Sequence, residues 1–184
     1  MNTKDKIRYL EKSNTALKQE VQKLRQIIKS YKYDKLTGFL LRSDFQDRLD
    51  EMWYEFNEFG HRFIIAMIDL DGLHDLNRDI SFEAGDDFIK QISNELKEHF
   101  EDSNLFRVGG DEFMILRRGN NIENFLEKLN NITRSTTAAF LVNKENVKKF
   151  NINNEQEVFN TIDAMVIAKK PKGRRKEDVD RIRS

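Results

Sequence analysis

The segment Leu105-Phe106-Arg107-Val108-Gly109-Gly110-Asp111-Glu112-Phe113-Met114-Ile115-Leu116 constrains the fold more than any other stretch of the chain. Apolar, β-prone runs flank a Gly-Gly-Asp-Glu tip, which is the pattern of a β-hairpin. Gly109 and Gly110 lack a Cβ, so the turn brings backbone close to whatever binds there. Two carboxylates, Asp111 and Glu112, follow at once at the top of the second strand. A second run, Arg62-Phe63-Ile64-Ile65-Ala66-Met67-Ile68-Asp69, is apolar almost throughout and ends in an acid. It reads as a buried central strand with a carboxylate at its C-terminal end.

Helical patterns surround these strands. Ser43-Asp44-Phe45 reads as an N-cap, and Phe45, Leu49, Met52, Trp53 and Phe56 recur at helical spacing until Gly60. A short helix through Leu73, Leu76 and Asn77 is expected, then a longer one from about Glu83 to Phe100 with Phe88, Ile89, Ile92 and Leu96 inward. Asn121 to Ile132 is amphipathic, with Ile122, Phe125, Leu126 and Leu129 on one face. Thr136 to Val142 reads as a strand, 143–157 as polar loop, and Val158 to Lys169 as a last helix ended by Pro171. With 14 Phe against one Trp and four Tyr, the core is expected to be rich in phenylalanine. The order of elements is that of an α/β (α+β) sandwich, a central mixed sheet flanked by helices, as in a ferredoxin-like or polymerase-palm core.

The first 33 residues are of another kind. With Ile7 as heptad position a, the a positions are Ile7, Asn14, Val21 and Ile28, and the d positions are Leu10, Leu17, Leu24 and Tyr31. β-Branched a with Leu d favours a parallel two-stranded coil, and one Asn at a fixes register and dimer state. Lys6 would meet Glu11 of a partner, and Glu20 would meet Arg25. The expected organisation is a coiled-coil dimerisation helix at 1–33, a catalytic or binding domain at 34–176, and a charged tail at 177–184.

Composition narrows the function. Lys+Arg and Asp+Glu are both 32, so net charge names no partner. The absence of Cys excludes disulfides and thiolate chemistry. No apolar run reaches the roughly 18 residues of a membrane span, and the N-terminus lacks the apolar segment of a signal peptide, so no membrane partner and a cytoplasmic location are expected. Six of the eight residues from Lys169 to Lys176 are basic, but no aromatic interleaves with them, so nucleic-acid binding is not expected.

In such a sheet, Asp69 and Asp111 would face each other across a few ångströms. Converging carboxylates repel unless a divalent cation lies between them. Mg²⁺, or Mn²⁺ in its place, takes a few carboxylate oxygens and completes its shell with water and substrate phosphates. The chemistry that fits is metal-assisted phosphoryl or nucleotidyl transfer, with the helix start near Gly72 offering N–H groups to phosphate.

On these motifs the chain resembles the GGDEF family, the diguanylate cyclases. The likeness covers about residues 33 to 176: an entry motif Asp34-Lys35-Leu36-Thr37-Gly38, a metal strand Asp69-Leu70-Asp71, and an intact signature Gly109-Gly110-Asp111-Glu112-Phe113. The resemblance implies a GTP substrate and a palm-like sandwich. It implies that Asp69, the carbonyl of Leu70 and Asp111 hold the metal, and that Asp111 deprotonates the ribose 3′-hydroxyl. Gly109 and Gly110 would lie against phosphates, Asn77 and Asp86 would read guanine, and Glu112 would support catalysis beside the metal.

Several positions depart from the family pattern. His74 stands where a phosphate-neutralising Lys is usual, Arg78 follows Asn77 where Asp is usual, and Ser81-Phe82 replaces Gly-His. The C-terminal phosphate pair is offered by Lys169 or Lys170 together with Arg174. The family's inhibitory product site aligns with Phe100 and Ser103, so feedback inhibition there is not expected, and Arg107 is expected to be structural. Three functions follow: a diguanylate cyclase acting as a coiled-coil homodimer, a degenerate module that binds GTP or cyclic di-GMP and signals through the coil, or a cyclase of other base preference or linear product.

Overall fold

The computed structural model describes residues 3–101 and 103–170; Arg174 and the tail from 177 onward lie outside the described residues. A long helix α1 (Thr3–Lys32) leads into the domain. Then follow β1 (Leu40–Leu41), α2 (Arg42–Phe59), β2 (Phe63–Leu70), α3 (Leu73–Asp79), α4 (Phe82–His99), β3 (Asn104–Arg107), β4 (Glu112–Arg118), α5 (Ile122–Asn130), β5 (Ser135–Val142), α6 (Lys144–Phe150) and α7 (Glu155–Lys169). The strands form one sheet in the order β1-β3-β4-β2-β5. β2 runs antiparallel to both neighbours, whereas β1 and β3 are parallel, so the sheet is mixed.

Every residue of β2 is buried. Alternation along the strand explains this, because successive side chains enter opposite layers. Phe63, Ile65 and Met67 join Phe45, Leu49 and Met52 of α2 and Val158, Ile162 and Val166 of α7. Ile64, Ala66, Ile68 and Leu70 join Phe88, Ile92 and Leu96 of α4 and Phe125 and Leu129 of α5. The sandwich has two apolar layers, and a run with no polar face is what a strand between them requires. Phenylalanine supplies much of both layers, at about 1.5–3 kcal/mol for each fully buried ring. Phe45 meets Phe106 edge-on at 5.4 Å, and Phe100 meets Phe125 at 4.8 Å.

Two local expectations are corrected. Ser43 does not cap α2. The helix starts at Arg42 directly after β1, and Leu41 at its N-cap makes no side-chain cap bond. The short β1, paired as Leu40↔Phe106 and Leu41↔Arg107, pins the chain before Ser43 is reached. The stretch 143–157 is not simply loop, because it holds α6 and the first turn of α7. Asn143 accepts from the Asn146 N–H, Asn151 ends α6 in the left-handed region at φ 53, and Asn154 accepts from the Glu157 N–H. Three asparagines thus act as caps and stops. No residue of α6 itself is fully buried, so an apolar period was not there to be read.

Candidate active site

The hairpin carries its signature on a four-residue tip. Arg107 and Phe113 are the last cross-strand pair, and the N–H groups of Val108 and Gly109 both donate to the Glu112 carbonyl, at 3.0 and 3.3 Å. Gly109 has a steric reason: a Cβ there would stand 2.6 Å from Glu112 Oε2. A side chain at 109 would push the glutamate carboxylate out of its present position.

Register then assembles the carboxylates. Asp69 is paired with Glu112, one residue on from Asp111, and the Leu70 N–H donates to the Asp111 carbonyl at 2.9 Å. By strand alternation, Asp69 follows Met67 and Glu112 precedes Phe113, so both acids stand on the layer of α2 and α7. Like charges directly opposite each other across a sheet destabilise it. Burial pushes the Glu112 carboxyl above the usual glutamate range, and Asp111 and then Asp69 push it further, with Arg42 opposing and Asp163 adding to the rise. Burial likewise raises the Asp163 carboxyl, against the pull of Lys170.

Arg42 and Asp163 carried no motif. Arg42 opens α2 and Asp163 lies midway along α7. Asp163 does stand seven residues before Lys170, two turns along one helical face, which in retrospect was the available signal. Geometry separates Lys169 from Lys170. Lys170 Nζ lies 2.9 Å from Asp69 Oδ2, both side chains being mostly buried, whereas Lys169 Nζ donates to the Thr137 carbonyl at 2.7 Å.

The donor set fits a magnesium or manganese ion. Asp69, Asp111 and the backbone at Leu70 meet at one strand end, where burial first and then the neighbouring acids raise Glu112. Among the described residues no group of three or more His, Cys, Asp or Glu side chains forms a ready cage. A cation that keeps water and phosphate oxygens in its shell needs only one or two protein carboxylates. Asp71 is used differently: its carboxylate accepts from Thr136 Oγ1 at 3.2 Å, and its N–H donates to the Arg134 carbonyl at 2.8 Å, tying β2 to β5.

Asn77 and Asp86 come from α3 and α4, which pack together. A Cβ on Gly85 would fall 1.9 Å from Asn77 Oδ1, so the amide lies directly on the α4 backbone beside Asp86. Asn77 is half-buried and Asp86 exposed. His74 is exposed, and Phe82, opening α4 beside its cap Ser81, is 76% exposed. Arg78 is held by carboxylates of its own helix, Asp75 at 3.1 Å and Asp79 at 2.6 Å.

The entry motif is bolted to the hairpin tip. The Arg107 guanidinium reaches Asp34 Oδ1 at 3.1 Å and donates to the Gly110 carbonyl at 2.7 Å. Burial works against charge on Asp34, yet the Thr37 hydroxyl and N–H and the Arg107 guanidinium together hold its carboxyl below the usual aspartate range. Phe100 is buried in the core.

Sheet and layers define an α+β sandwich on a five-stranded mixed sheet. The chain belongs to the GGDEF family: the family model described as diguanylate cyclase, GGDEF domain, matches residues 31–175. Among solved structures, the coiled coil and GGDEF domain of DgcB from Caulobacter crescentus, in complex with c-di-GMP, superposes with a TM-score of 0.76 at 18% identity, covering 87% of this chain and 91% of that one. The FimX GGDEF domain from Pseudomonas aeruginosa has a TM-score of 0.65 at 20% identity, covering 73% of this chain and 91% of that one. These likenesses show the fold. Among curated proteins, an uncharacterized membrane protein of Staphylococcus epidermidis is 30% identical over 159 residues, 79% of this chain and 45% of that protein. One from Staphylococcus aureus strain USA300 is 29% identical over 160 residues, with the same shares. The chain thus spans about half the length of these relatives. Among the described residues no helix is long and apolar enough to cross a membrane.

Proposed function

We propose that the chain is a diguanylate cyclase that joins two GTP into cyclic di-GMP on a homodimer. The observation that carries this reading is the cross-strand register that sets Asp69 against Glu112 and joins Leu70 to Asp111, beside an intact signature. Asp69, Asp111 and the Leu70 carbonyl would hold Mg²⁺ or Mn²⁺. A metal held there would supply charge stabilisation for the attacking oxygen and for the leaving pyrophosphate. Asp111 takes the proton of the ribose 3′-hydroxyl, and Glu112 supports the charge arrangement around it. Gly109 and Gly110 let phosphates approach backbone, while Lys170, with Arg174 and the exposed His74, supplies positive charge to them; Lys169 is held at the sheet instead. Asn77 and Asp86 accept and donate at the guanine edge, where a carboxylate matches N1–H and N2–H₂.

The ring needs two 3′-oxygens, each attacking the α-phosphate of the other GTP with release of pyrophosphate. One subunit holds one GTP, so the two sites must meet. The proposed device is α1. Its seam residues Ile7, Leu10, Leu17, Val21, Leu24 and Ile28 are 47–63% exposed in the single chain, and Asn14 is exposed among them, so this apolar face does not pack on its own domain. A parallel coil over 1–33 would carry domain 34–176, with the tail 177–184 beyond it. A cytoplasmic setting follows from the GTP supply. With Phe100 in the core, product inhibition at that position is not expected.

Incubation with GTP and Mg²⁺, with products identified by mass spectrometry, tests the proposal. Cyclic di-GMP from the unmodified protein and none from Asp111→Ala supports it. Retained GTP or cyclic di-GMP binding without any product would favour the second reading, a binding module, to which the exposed Phe82 and the self-engaged Arg78 lend support.

Base recognition has its own test at Gly85. A methyl group there strikes the end of the Asn77 side chain, which can swing away, so Gly85→Ala should fold. It should bind GTP about tenfold more weakly, about 1.4 kcal/mol, as read by calorimetry. Unchanged GTP affinity would mean that Asn77 does not read the base.

A further inference from the structure

Lys170 occupies an unusual place for a phosphate-binding lysine. It is the C-cap of α7, with extended backbone at φ −63 and ψ 139, and its N–H still closes on the Val166 carbonyl. Its ammonium lies 2.9 Å from Asp69 Oδ2, with side chains only 15% and 10% exposed. Asp163, two turns earlier on α7, lies near enough for the same ammonium to draw its carboxyl down against burial. The neighbouring Lys169 fastens the helix end to β5 through the Thr137 carbonyl. The protein's own cation is therefore seated on the carboxylate at the end of β2.

We propose that Lys170 is an internal counter-cation that makes the binding of divalent metal and of nucleoside triphosphate mutually dependent. The inference rests on the reading of Asp69 as a metal ligand. A metal taking Asp69 Oδ2 has to displace the ammonium, which opposes metal binding to the chain alone. Once displaced, the ammonium sits on a short tether at the rim of the same site, where triphosphate oxygens are its best new partners. Nucleotide thus removes the competitor of the metal, and by linkage the metal tightens nucleotide by the same factor. The device keeps the carboxylates neutralised between turnovers and admits metal together with substrate.

The test is Mn²⁺ binding to the full chain, followed by electron paramagnetic resonance of free Mn²⁺. Without nucleotide, Lys170→Met and Lys170→Gln should each bind Mn²⁺ about tenfold tighter than the unmodified protein, within the usual range of such coupling. Lys169→Met loses the same charge one residue away, but not from the carboxylate, and should change affinity by less than about threefold. A GTP analogue with an α,β-methylene bridge should tighten Mn²⁺ binding in the unmodified protein far more than in Lys170→Met. Equal affinities for Lys170→Met and Lys169→Met, with binding lost in Asp69→Asn, would overturn the counter-cation and leave the metal site standing. Mn²⁺ binding that survives Asp69→Asn would overturn the metal reading, and the counter-cation with it.

Discussion

Glu112→Gln is expected to make the metal-free protein more stable and the enzyme at least a hundredfold slower. Both effects come from one placement. Glu112 is half-buried, stands opposite Asp69, and follows Asp111 in the chain. Burial, Asp111 and Asp69 raise its folded-state value above that of an unfolded glutamate. A raised value means that the folded protein holds the proton more tightly than the unfolded chain does. Its contribution to stability is complete below the unfolded value and is lost as pH rises through the folded one. Wherever the Glu112 carboxyl is ionised, the folded protein carries that charge at a cost. Glutamine keeps the shape, removes the charge, and can donate to the neighbouring carboxylates. The melting temperature without metal should rise by about 2–4 °C for about 1 kcal/mol. The gap between variant and unmodified protein should close below the ordinary glutamate range, and it should also close when Mg²⁺ is added. A variant that melts lower at neutral pH without metal would contradict the repulsion that the register implies.

Leu17→Pro is expected to abolish cyclic di-GMP formation while leaving a folded domain. Proline in a helix interior removes a backbone donor and clashes with the preceding turn, at about 3 kcal/mol or more. Leu17 is at the middle of α1, 63% exposed, and belongs to neither apolar layer of the domain. The end of α1 is secured separately, by Lys32 to Asp44 at 3.5 Å and by the bridge between Tyr33 and Leu40. The variant should therefore sediment as a monomer with an unchanged near-ultraviolet spectrum. Full turnover in a demonstrated monomer would remove the coiled coil from the mechanism. Because Asp34 joins the end of this helix to the hairpin tip through Arg107, activity is also expected to respond to how the coil enters the domain.

Much of the fold was legible because burial writes itself into period. β2 is apolar at every position since it lies between two layers, and α2, α4, α5 and α7 show the helical spacing of one buried face. β1 was not legible, because two residues have no period. α6 was missed because its stability comes from asparagine caps and a partly buried Val147 rather than from an apolar stripe. At the site, Asp69 and Glu112 stood out as acids ending or opening apolar strands. Arg42 and Asp163 did not, because their proximity to Glu112 exists only once α2 and α7 lie over the same sheet face. Lys169 and Lys170 were interchangeable in sequence. The way α7 ends decides that one reaches β5 and the other reaches Asp69. The role of Gly85 becomes visible only when Asn77 is seen lying on it.

The claim at the centre of this account is that two subunits build one working site. Its most direct measurement is a mixing series of unmodified and Asp111→Ala subunits, exchanged to equilibrium at constant total protein, with cyclic di-GMP quantified by mass spectrometry. If both subunits of a symmetric dimer must supply Asp111, product falls as the square of the unmodified fraction, to about a quarter in an equal mixture. Product falling in simple proportion, to about a half, would mean that each subunit works alone and would contradict the account.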